Sequence, residues 1–284
     1  MTDKIIALVD GSIYSESVCH HAAWISQRTQ APVELIHVLG RREAPDKTDL
    51  SGAIRLGART KLMEELAEID AQRAKLVSHR GRAILEDARA IVDQDGVTEI
   101  TTRLRHGDIV EAIGEVESNA RVIVIGKRGE AADFAKGHLG SNLERIVRAA
   151  HRPIFVAARA FKPIEKVLVA YDGGTSAMKA VDHIAHSPLF QGLNVTVVTV
   201  GADNADNRKG LEEARLRLKA ATIDADTQIV EGRPDEVLGK LVETDGFDML
   251  VMGAYGHSRI RSLVIGSTTT EMMRSCKVPV VLMR

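Results

Sequence analysis

The sequence has few cysteines and few aromatic residues, and it contains no long apolar stretch. Two cysteines in 284 residues, Cys19 and Cys276, cannot form a disulfide framework, and both lie within helical patterns. This usage indicates reduced thiols. Aromatic residues make up 3% of the chain, too few for the stacked platforms that bind single-stranded nucleic acid. No apolar run approaches the length of a membrane span, so the sequence predicts no membrane-spanning helix.

The net charge is small, and the start of the sequence has no pattern of a targeting signal. The net charge of −1 provides no field that would draw the chain to nucleic acid or to an anionic membrane. Residues 1–4 lead directly into a strand pattern rather than a signal peptide. We therefore expect a cytoplasmic protein that binds neither nucleic acid nor membrane.

Two common site motifs are also missing. The sequence has no Gly-x4-Gly-Lys-Ser/Thr segment, so it is not a P-loop ATPase. His20, His21, His183 and His186 fall on predicted helices, but a zinc site needs three or four converging ligands, and no further ligands can be named. We interpret these histidines as packed or partly exposed helix residues and predict no metal site.

The chain does contain an internal repeat. The repeated segments are residues 4–12 with 166–174, 107–113 with 232–238, 121–126 with 248–253, and 152–156 with 278–282. Two copies of one α/β unit indicate a duplicated domain rather than a solenoid. We predict two domains, copy one (residues 1–160) and copy two (residues 161–284), with the seam near residues 158–165.

Within each copy, short Val, Ile and Leu runs alternate with helical patterns. Runs without polar alternation are typical of strands buried on both faces, and hence of a parallel sheet flanked by helices. The predicted strands are residues 4–9, 33–38, 98–104, 121–126 and 153–158 in copy one, and 166–171, 194–200, 226–230, 248–253 and 278–283 in copy two. The predicted helices are residues 14–29, 50–78, 82–95, 107–118 and 140–150, then 175–186, 207–221, 234–244 and 267–275.

The most specific motif follows the fourth strand of copy two. Gly253 and Gly256 enclose two residues, and nine further residues precede Gly266 and Ser267. Glycine lets a backbone approach a ligand or adopt a positive φ, and a helix start offers unpaired N–H groups that suit phosphate. Ser267 and Thr268 add hydroxyls at the expected capping positions. The pattern Gly-x2-Gly-x9-Gly-Ser predicts a strand, a glycine loop and a phosphate-binding helix N-terminus.

Copies with Asp10 or Asp172 after the first strand, and with this loop after the fourth, resemble the universal stress protein family in its tandem form. The resemblance covers essentially the whole chain. It implies two open five-stranded parallel sheets of order 3-2-1-4-5, of the adenine nucleotide alpha-hydrolase-like type, with helices on both faces. It also implies ligand between strands one and four, which agrees with the binding of ligands where the strand order of an open sheet reverses. The implied ligand is ATP, with or without magnesium.

The resemblance also implies roles for residues of copy two. Asp172 would lie under the nucleoside, and the backbone near Val200 would face the adenine. The implied phosphate and ribose contacts are Gly253, Gly256, Gly266, Ser267 and Thr268, with His257 and Arg259 as further donors. The competing interpretation is a loop whose glycines merely permit a tight turn.

Copy one departs from the pattern. Its candidate second site consists of Asp10, Gly126, Gly129, Gly140 and Ser141. Ten residues rather than nine separate its second and third glycines, and they include Glu130 and Asp133. These carboxylates would repel phosphate unless the loop turns them outward, although Lys127 and Arg128 would partly offset them. We expect a degenerate or ligand-selective site.

Three functions compete on this sequence. The first is an ATP-binding protein that acts in the stress response, and the second is a slow ATP-hydrolysing or nucleotidyl-transferring enzyme. The third is a ligand-free scaffold that acts through its surfaces. The complete motif favours the first over the third, and the lack of a positioned base beyond the two aspartates favours it over the second, so no catalytic residue is assigned. Expected partners are an adenine nucleotide and an unidentified protein. The two copies should pair within the chain through residues 153–158 and 278–283, and a homodimer remains open.

Overall fold

The computed structural model describes residues 3–40, 56–129, 140–254 and 265–284. Its strands are β1 (Lys4–Leu8), β2 (Val33–Leu39), β3 (Ile100–His106), β4 (Ala120–Gly126), β5 (Ile154–Ala157), β6 (Lys166–Ala170), β7 (Asn194–Val200), β8 (Ala225–Val230), β9 (Met249–Gly253) and β10 (Val280–Met283). Its α-helices are α1 (Ser15–Thr29), α2 (Leu56–Gln94), α3 (Ile109–Gly114), α4 (Ser141–Ala149), α5 (Thr175–His186), α6 (Ala205–Ala220), α7 (Pro234–Thr244) and α8 (Ser267–Ser275).

The strands form a single ten-stranded sheet in the order β3-β2-β1-β4-β5-β10-β9-β6-β7-β8. Pairing is parallel within each copy. The two copies join where β5 pairs antiparallel with β10, with Phe155 opposite Val281. The predicted α/β fold and the order 3-2-1-4-5 in each copy are therefore confirmed, as is the pairing of the two fifth strands. This pairing covers the apolar edge that each copy would otherwise expose.

Side chains of the central strands alternate between two helical layers. On β1, Ile5 and Ala7 belong to one buried cluster, and Ile6 and Leu8 belong to the other. The first cluster lies under α1, α2, α5 and α6, and the second lies under α3, α4, α7 and α8. Each cluster contains residues of both copies, so the central strands of the sheet are buried on both faces. This burial explains why the strands read as continuous apolar runs.

The predicted break between two helices at residues 79–81 is wrong, because α2 continues through these residues. A Cβ added at Gly81 would lie 2.8 Å from Leu104 Cδ1 and 3.0 Å from His37 Cδ2. This glycine therefore allows the helix to pack closely on β2 and β3, although glycine costs a helix interior about 1 kcal/mol relative to alanine. Residues 50–55 of the predicted helix lie outside the described ranges.

Helix α3 is shorter than the predicted helix at residues 107–118. It starts after Asp108, whose Oδ1 accepts a hydrogen bond from Val110 N at 2.9 Å. It ends at Gly114, and a 3₁₀ turn at Glu117–Asn119 follows. Glycine is a poor helix former, which is consistent with this end. Within the described residues, no helix combines the length and apolar character needed to cross a bilayer.

Candidate functional site

The candidate site of copy two lies at the carboxyl edge of the sheet, where β6 and β9 end side by side. Ala170 and Met252 are partners in their ladder. Asp172 follows β6 by two residues, and Gly253 is the last residue of β9. The strand order reverses here, because β6 is followed in sequence by β7 on one side but neighbours β9 on the other. Open α/β sheets bind ligands in such a crevice.

An aspartate fixes the loop after the first strand of each copy. In copy two, Asp172 Oδ1 accepts a hydrogen bond from Gly174 N at 2.8 Å. In copy one, Asp10 Oδ1 accepts from Ser12 N at 3.0 Å and from Ser15 Oγ at 3.2 Å. Both aspartates thus form Asx turns that shape the start of the following helix. A structural role accounts for these contacts, and a ligand role for Asp172 stays a prediction.

The glycine that ends the fourth strand has a packing role in both copies. A Cβ at Gly253 would lie 2.8 Å from Ser176 Cβ, and a Cβ at Gly126 would lie 2.6 Å from Tyr14 Cβ. Real Cβ atoms do not come this close to such atoms, so each glycine lets the first helix of its copy pack against the strand end. This requirement is independent of phosphate, and the predicted phosphate contact of Gly253 stays a prediction.

The N-terminus of α8 differs in detail from the predicted cap. Gly266 is the N-cap, with φ −61° and ψ 148°, and as a glycine it has no side chain with which to cap the helix. Ser267 and Thr268 are therefore the first two helical residues rather than capping residues. The first N–H groups of an α-helix have no partner within it, and the first turn of α8 carries no acidic side chain. This helix start has the donors and the polarity that an anion requires.

Thr269 is a site residue that the sequence interpretation missed. It is 3% exposed, and its Oγ1 donates to the carbonyl oxygen of Gly253 at 3.3 Å. The hydroxyl thus ties the first turn of α8 to the end of β9 and fixes the two ends of the glycine loop. The signal was present as the second threonine of the Gly-Ser-Thr-Thr run, three residues after Gly266.

The remaining predicted site residues of copy two lie partly inside and partly outside the described ranges. Val200 ends β7, which adjoins β6, and it is paired with Val230 on β8. It thus lies at the same edge as Asp172, and its predicted contact with adenine stays a prediction. Gly256, His257 and Arg259 lie outside the described residues.

The corresponding loop of copy one closes near its own aspartate. A Cβ at Gly129 would lie 2.8 Å from Asp10 Oδ2. Gly140 is the N-cap of α4, and its N–H donates to the carbonyl oxygen of Lys127 at 3.4 Å. Ser141 is the first residue of α4, whose first turn carries Glu144. Unlike α8, this helix start has a carboxylate beside it.

The side chain of Lys127 packs against the other copy. The ammonium donates to the carbonyl oxygen of Cys276, at the C-terminus of α8, and the residue is 7% exposed. Burial lowers the pKa of Lys127 to about 8. The Lys127 ammonium is thus held at the C-terminus of α8, and the expectation that it offsets Glu130 and Asp133 stays a prediction, because those two residues lie outside the described ranges.

Copy two caps copy one in a similar way. The Arg284 guanidinium donates to the carbonyl oxygens of Arg148 at 3.0 Å and Ala150 at 3.1 Å, at the C-terminus of α4. Cations at helix C-termini complement the unpaired carbonyl groups. In each copy, the helix whose N-terminus belongs to the candidate site is therefore capped at its C-terminus by a side chain of the other copy.

Two of the helical histidines are packed. His21 lies between Phe155 and Phe161, with ring centroids 5.1 and 5.0 Å away, and His183 lies 6.0 Å from Phe190. Burial lowers the pKa of both histidines to about 4. The interpretation of these two residues as packing residues is confirmed. Among the described residues, no group of three or more His, Cys, Asp or Glu is placed to hold a metal ion.

A separate cleft of about 300 Å³ lies between α1 and α2 in copy one. Gly11 and Ile84 line it together with the thiol-bearing Cys19. Burial raises the pKa of Cys19 to about 12, so its thiol is protonated at neutral pH. Gly126 and Gly129 are not among its described lining residues, whereas Ser12 and Ser15, which donate hydrogen bonds to Asp10, are.

Comparison with known proteins places these features in context. The model of the universal stress protein family matches residues 1–158 and again residues 163–284. Universal stress protein Slr1230 of Synechocystis sp. is 34% identical, and the match covers 99% of each chain. Universal stress protein Rv1996 of Mycobacterium tuberculosis is 22% identical over 99% of this chain and 94% of its own. A solved universal stress protein structure from Archaeoglobus fulgidus has a TM-score of 0.74 at 20% identity, covering 100% of this chain and 99% of that one.

Proposed function

This chain belongs to the universal stress protein family, and from that premise we propose that it binds an adenine nucleotide, ATP, at the carboxyl edge of copy two. Nucleotide binding would let the protein act in the stress response as a regulator rather than through turnover. We also propose that residues 161–284 form the binding domain and residues 1–160 a domain with a degenerate loop. The cytoplasm is the proposed compartment, since both cysteines are unpaired and buried.

The observation that carries this proposal is the N-terminus of α8. It starts at Gly266, which has no side chain to cap the helix, and its first turn carries no acidic residue. Thr269 holds it against the end of β9. A phosphate group here would accept hydrogen bonds from backbone N–H groups already oriented toward it. A hydrogen bond to a charged group contributes about 1.5–3 kcal/mol, so two or three such bonds would support specific binding.

Copy one offers a weaker phosphate site for three reasons seen in the geometry. Glu144 lies in the first turn of α4, where it opposes a second anion. The Lys127 ammonium donates to the carbonyl oxygen of Cys276 at the end of α8. Gly129 lies directly against Asp10, because a Cβ at this position would be 2.8 Å from Asp10 Oδ2. These contacts support copy two as the main nucleotide site.

The described residues favour binding over turnover. The aspartates at the two edges, Asp10 and Asp172, each accept a hydrogen bond from their own loop. A general base must reach the attacking water, and a carboxylate that shapes its own turn is poorly placed for that task. This supports a protein that binds ATP without hydrolysing it at an appreciable rate.

Native mass spectrometry of the purified protein tests the proposal first, followed by calorimetric titration with ATP, cyclic AMP, adenosine and GTP, with and without magnesium. We expect one equivalent of adenine nucleotide per chain and no GTP binding. Because the phosphates contribute hydrogen bonds at α8, ATP should bind at least about tenfold more tightly than adenosine. Absence of any bound or titratable nucleotide would favour the ligand-free scaffold.

A further inference from the structure

The N-terminal half of α2 exposes a row of apolar side chains. Met63, Ile69 and Leu76 are 49%, 59% and 71% exposed, whereas the C-terminal half of the helix packs in the core. Gly81 packs at the end of β2, so residues 62–80 extend past the carboxyl edge of the sheet for about 28 Å at 1.5 Å per residue. A projecting helix with an apolar face is normally covered by a partner.

Four apolar residues of this segment form a row that has the spacing of a helix pair. Leu62, Leu66, Ile69 and Leu76 lie on one face at intervals of four and three residues, and Arg73 occupies the intervening position. Apolar residues alternating at intervals of three and four form the seam of a two-helix coiled coil. The row therefore fits another α-helix with the same spacing.

Charge along the segment identifies that helix and its direction. The first part carries Glu64, Glu65, Glu68 and Asp70 and no basic residue, and the second part carries Arg73, Lys75 and Arg80 and no acidic residue. A parallel pair of such segments would place acidic against acidic and basic against basic. An antiparallel pair places each acidic part beside a basic part, so the segment is complementary to itself.

We propose that residues 62–80 of α2 pair antiparallel with the same segment of a second copy of this chain, forming a two-fold dimer. The register that aligns both seams sets Leu66 against Leu76 of the second copy. It brings the two Gln72 side chains together on one side of the two-fold axis and the two Asp70 side chains together on the other. Arg73 lies opposite Ile69 of the second copy, and its long side chain extends toward Asp70 of that copy, which offsets this like-charge contact. The contact does not rest on nucleotide binding.

Sedimentation velocity and light scattering of the full chain, over a range of protein concentrations, test the dimer. We expect the wild type to dimerise and Ile69→Glu to be monomeric. Ala71→Glu is the matched control, because residue 71 is exposed on the opposite face of the helix, and it should remain dimeric. Circular dichroism should show that both variants fold. A wild type that is monomeric throughout, or equal dissociation of both variants, would overturn the proposal.

Cysteine cross-linking tests the antiparallel register. Gln72→Cys should form a covalent dimer with a short bismaleimide, because the two copies of this residue meet at the axis. Glu65→Cys occupies the same place in the heptad, but its two copies lie about 21 Å apart along the helix axis, so it should not cross-link. The wild type supplies the background, since Cys19 and Cys276 are buried. Equal cross-linking of the two variants, or none in either, would contradict this register.

Discussion

Acid should destabilise this protein through His21, and the contacts of that residue explain why. Its Nδ1 donates to the carbonyl oxygen of Ser17 at 2.6 Å, so its Nε2 carries no proton in the neutral ring. Within the described part of the chain, that Nε2 has no hydrogen-bond partner. Protonation would place an uncompensated charge beside Phe155 and Phe161, and burial accordingly lowers the pKa from 6.5 to about 4.

The size and sign of the effect follow from that pKa. Below pH 6.5 the unfolded chain binds a proton at this histidine, while the folded chain does not until the pH approaches 4. The stabilisation is therefore complete above pH 6.5 and is lost as the pH falls toward 4. Between about pH 7.5 and about pH 4.5, the free energy of unfolding should fall by about 2.5 kcal/mol through His21.

Replacing the residue with leucine isolates this contribution. Between the two pH values, the free energy of unfolding of His21→Leu should fall by about 2.5 kcal/mol less than that of the wild type. Urea unfolding followed by far-ultraviolet circular dichroism measures this difference. His186→Leu serves as the control, because His186 is an exposed helical histidine, and it should retain the wild-type decline. An equal decline in the wild type and in His21→Leu would refute the reasoning.

Three further predictions concern stability and turnover. Burial lowers the pKa of Lys127 from 10.5 to about 8, so the unfolded chain retains this proton longer as the pH rises. The free energy of unfolding should therefore rise by about 2 kcal/mol between about pH 8 and 10, and urea unfolding of Lys127→Met should lack that rise. Gly253→Ala should lower the unfolding free energy by about 1–3 kcal/mol through its clash with Ser176. In contrast, Gly239→Ala, in the open interior of α7, should raise it by up to about 1 kcal/mol, as seen in thermal unfolding. Phosphate release from ATP should be very slow and unchanged in Asp172→Asn, whereas several turnovers per second abolished by that substitution would indicate an enzyme.

The sheet was predictable because the apolar composition of its central strands is compatible with few other structures. Runs such as Ile5 to Val9 are apolar at every position, which requires burial on both faces and hence a parallel sheet between helices. The pairing of β5 with β10 could also be expected, because both are short apolar strands at an edge. Because the two copies share a sequence pattern, the strands and helices assigned in one copy supported those assigned in the other.

Features that depend on contacts between distant segments could not be read from the sequence. The position of Lys127 in the sequence suggests a cation that partly offsets Glu130 and Asp133, and only the assembled sheet brings its ammonium to Cys276 in the other copy. Gly81 suggests a helix break, but the close approach of Leu104 gives it a packing role. Ser267 suggests a cap, whereas the backbone makes Gly266 the N-cap.

Nucleotide binding at the start of α8 can be tested by removing one backbone donor. Ser267→Pro deletes the first N–H of the helix at a position where proline is favoured. Gly266, at φ −61° and ψ 148°, already has the extended conformation required before proline. Ser141→Pro is the matched control at the start of α4, because Gly140 has φ −61° and ψ 127°.

Calorimetric titration of these two variants with ATP and magnesium tests the central claim most directly. Loss of a charge-assisted hydrogen bond should weaken ATP binding by Ser267→Pro at least about tenfold, while Ser141→Pro should bind as the wild type does. Undiminished binding by Ser267→Pro, or a loss confined to Ser141→Pro, would contradict the assignment of the nucleotide to copy two.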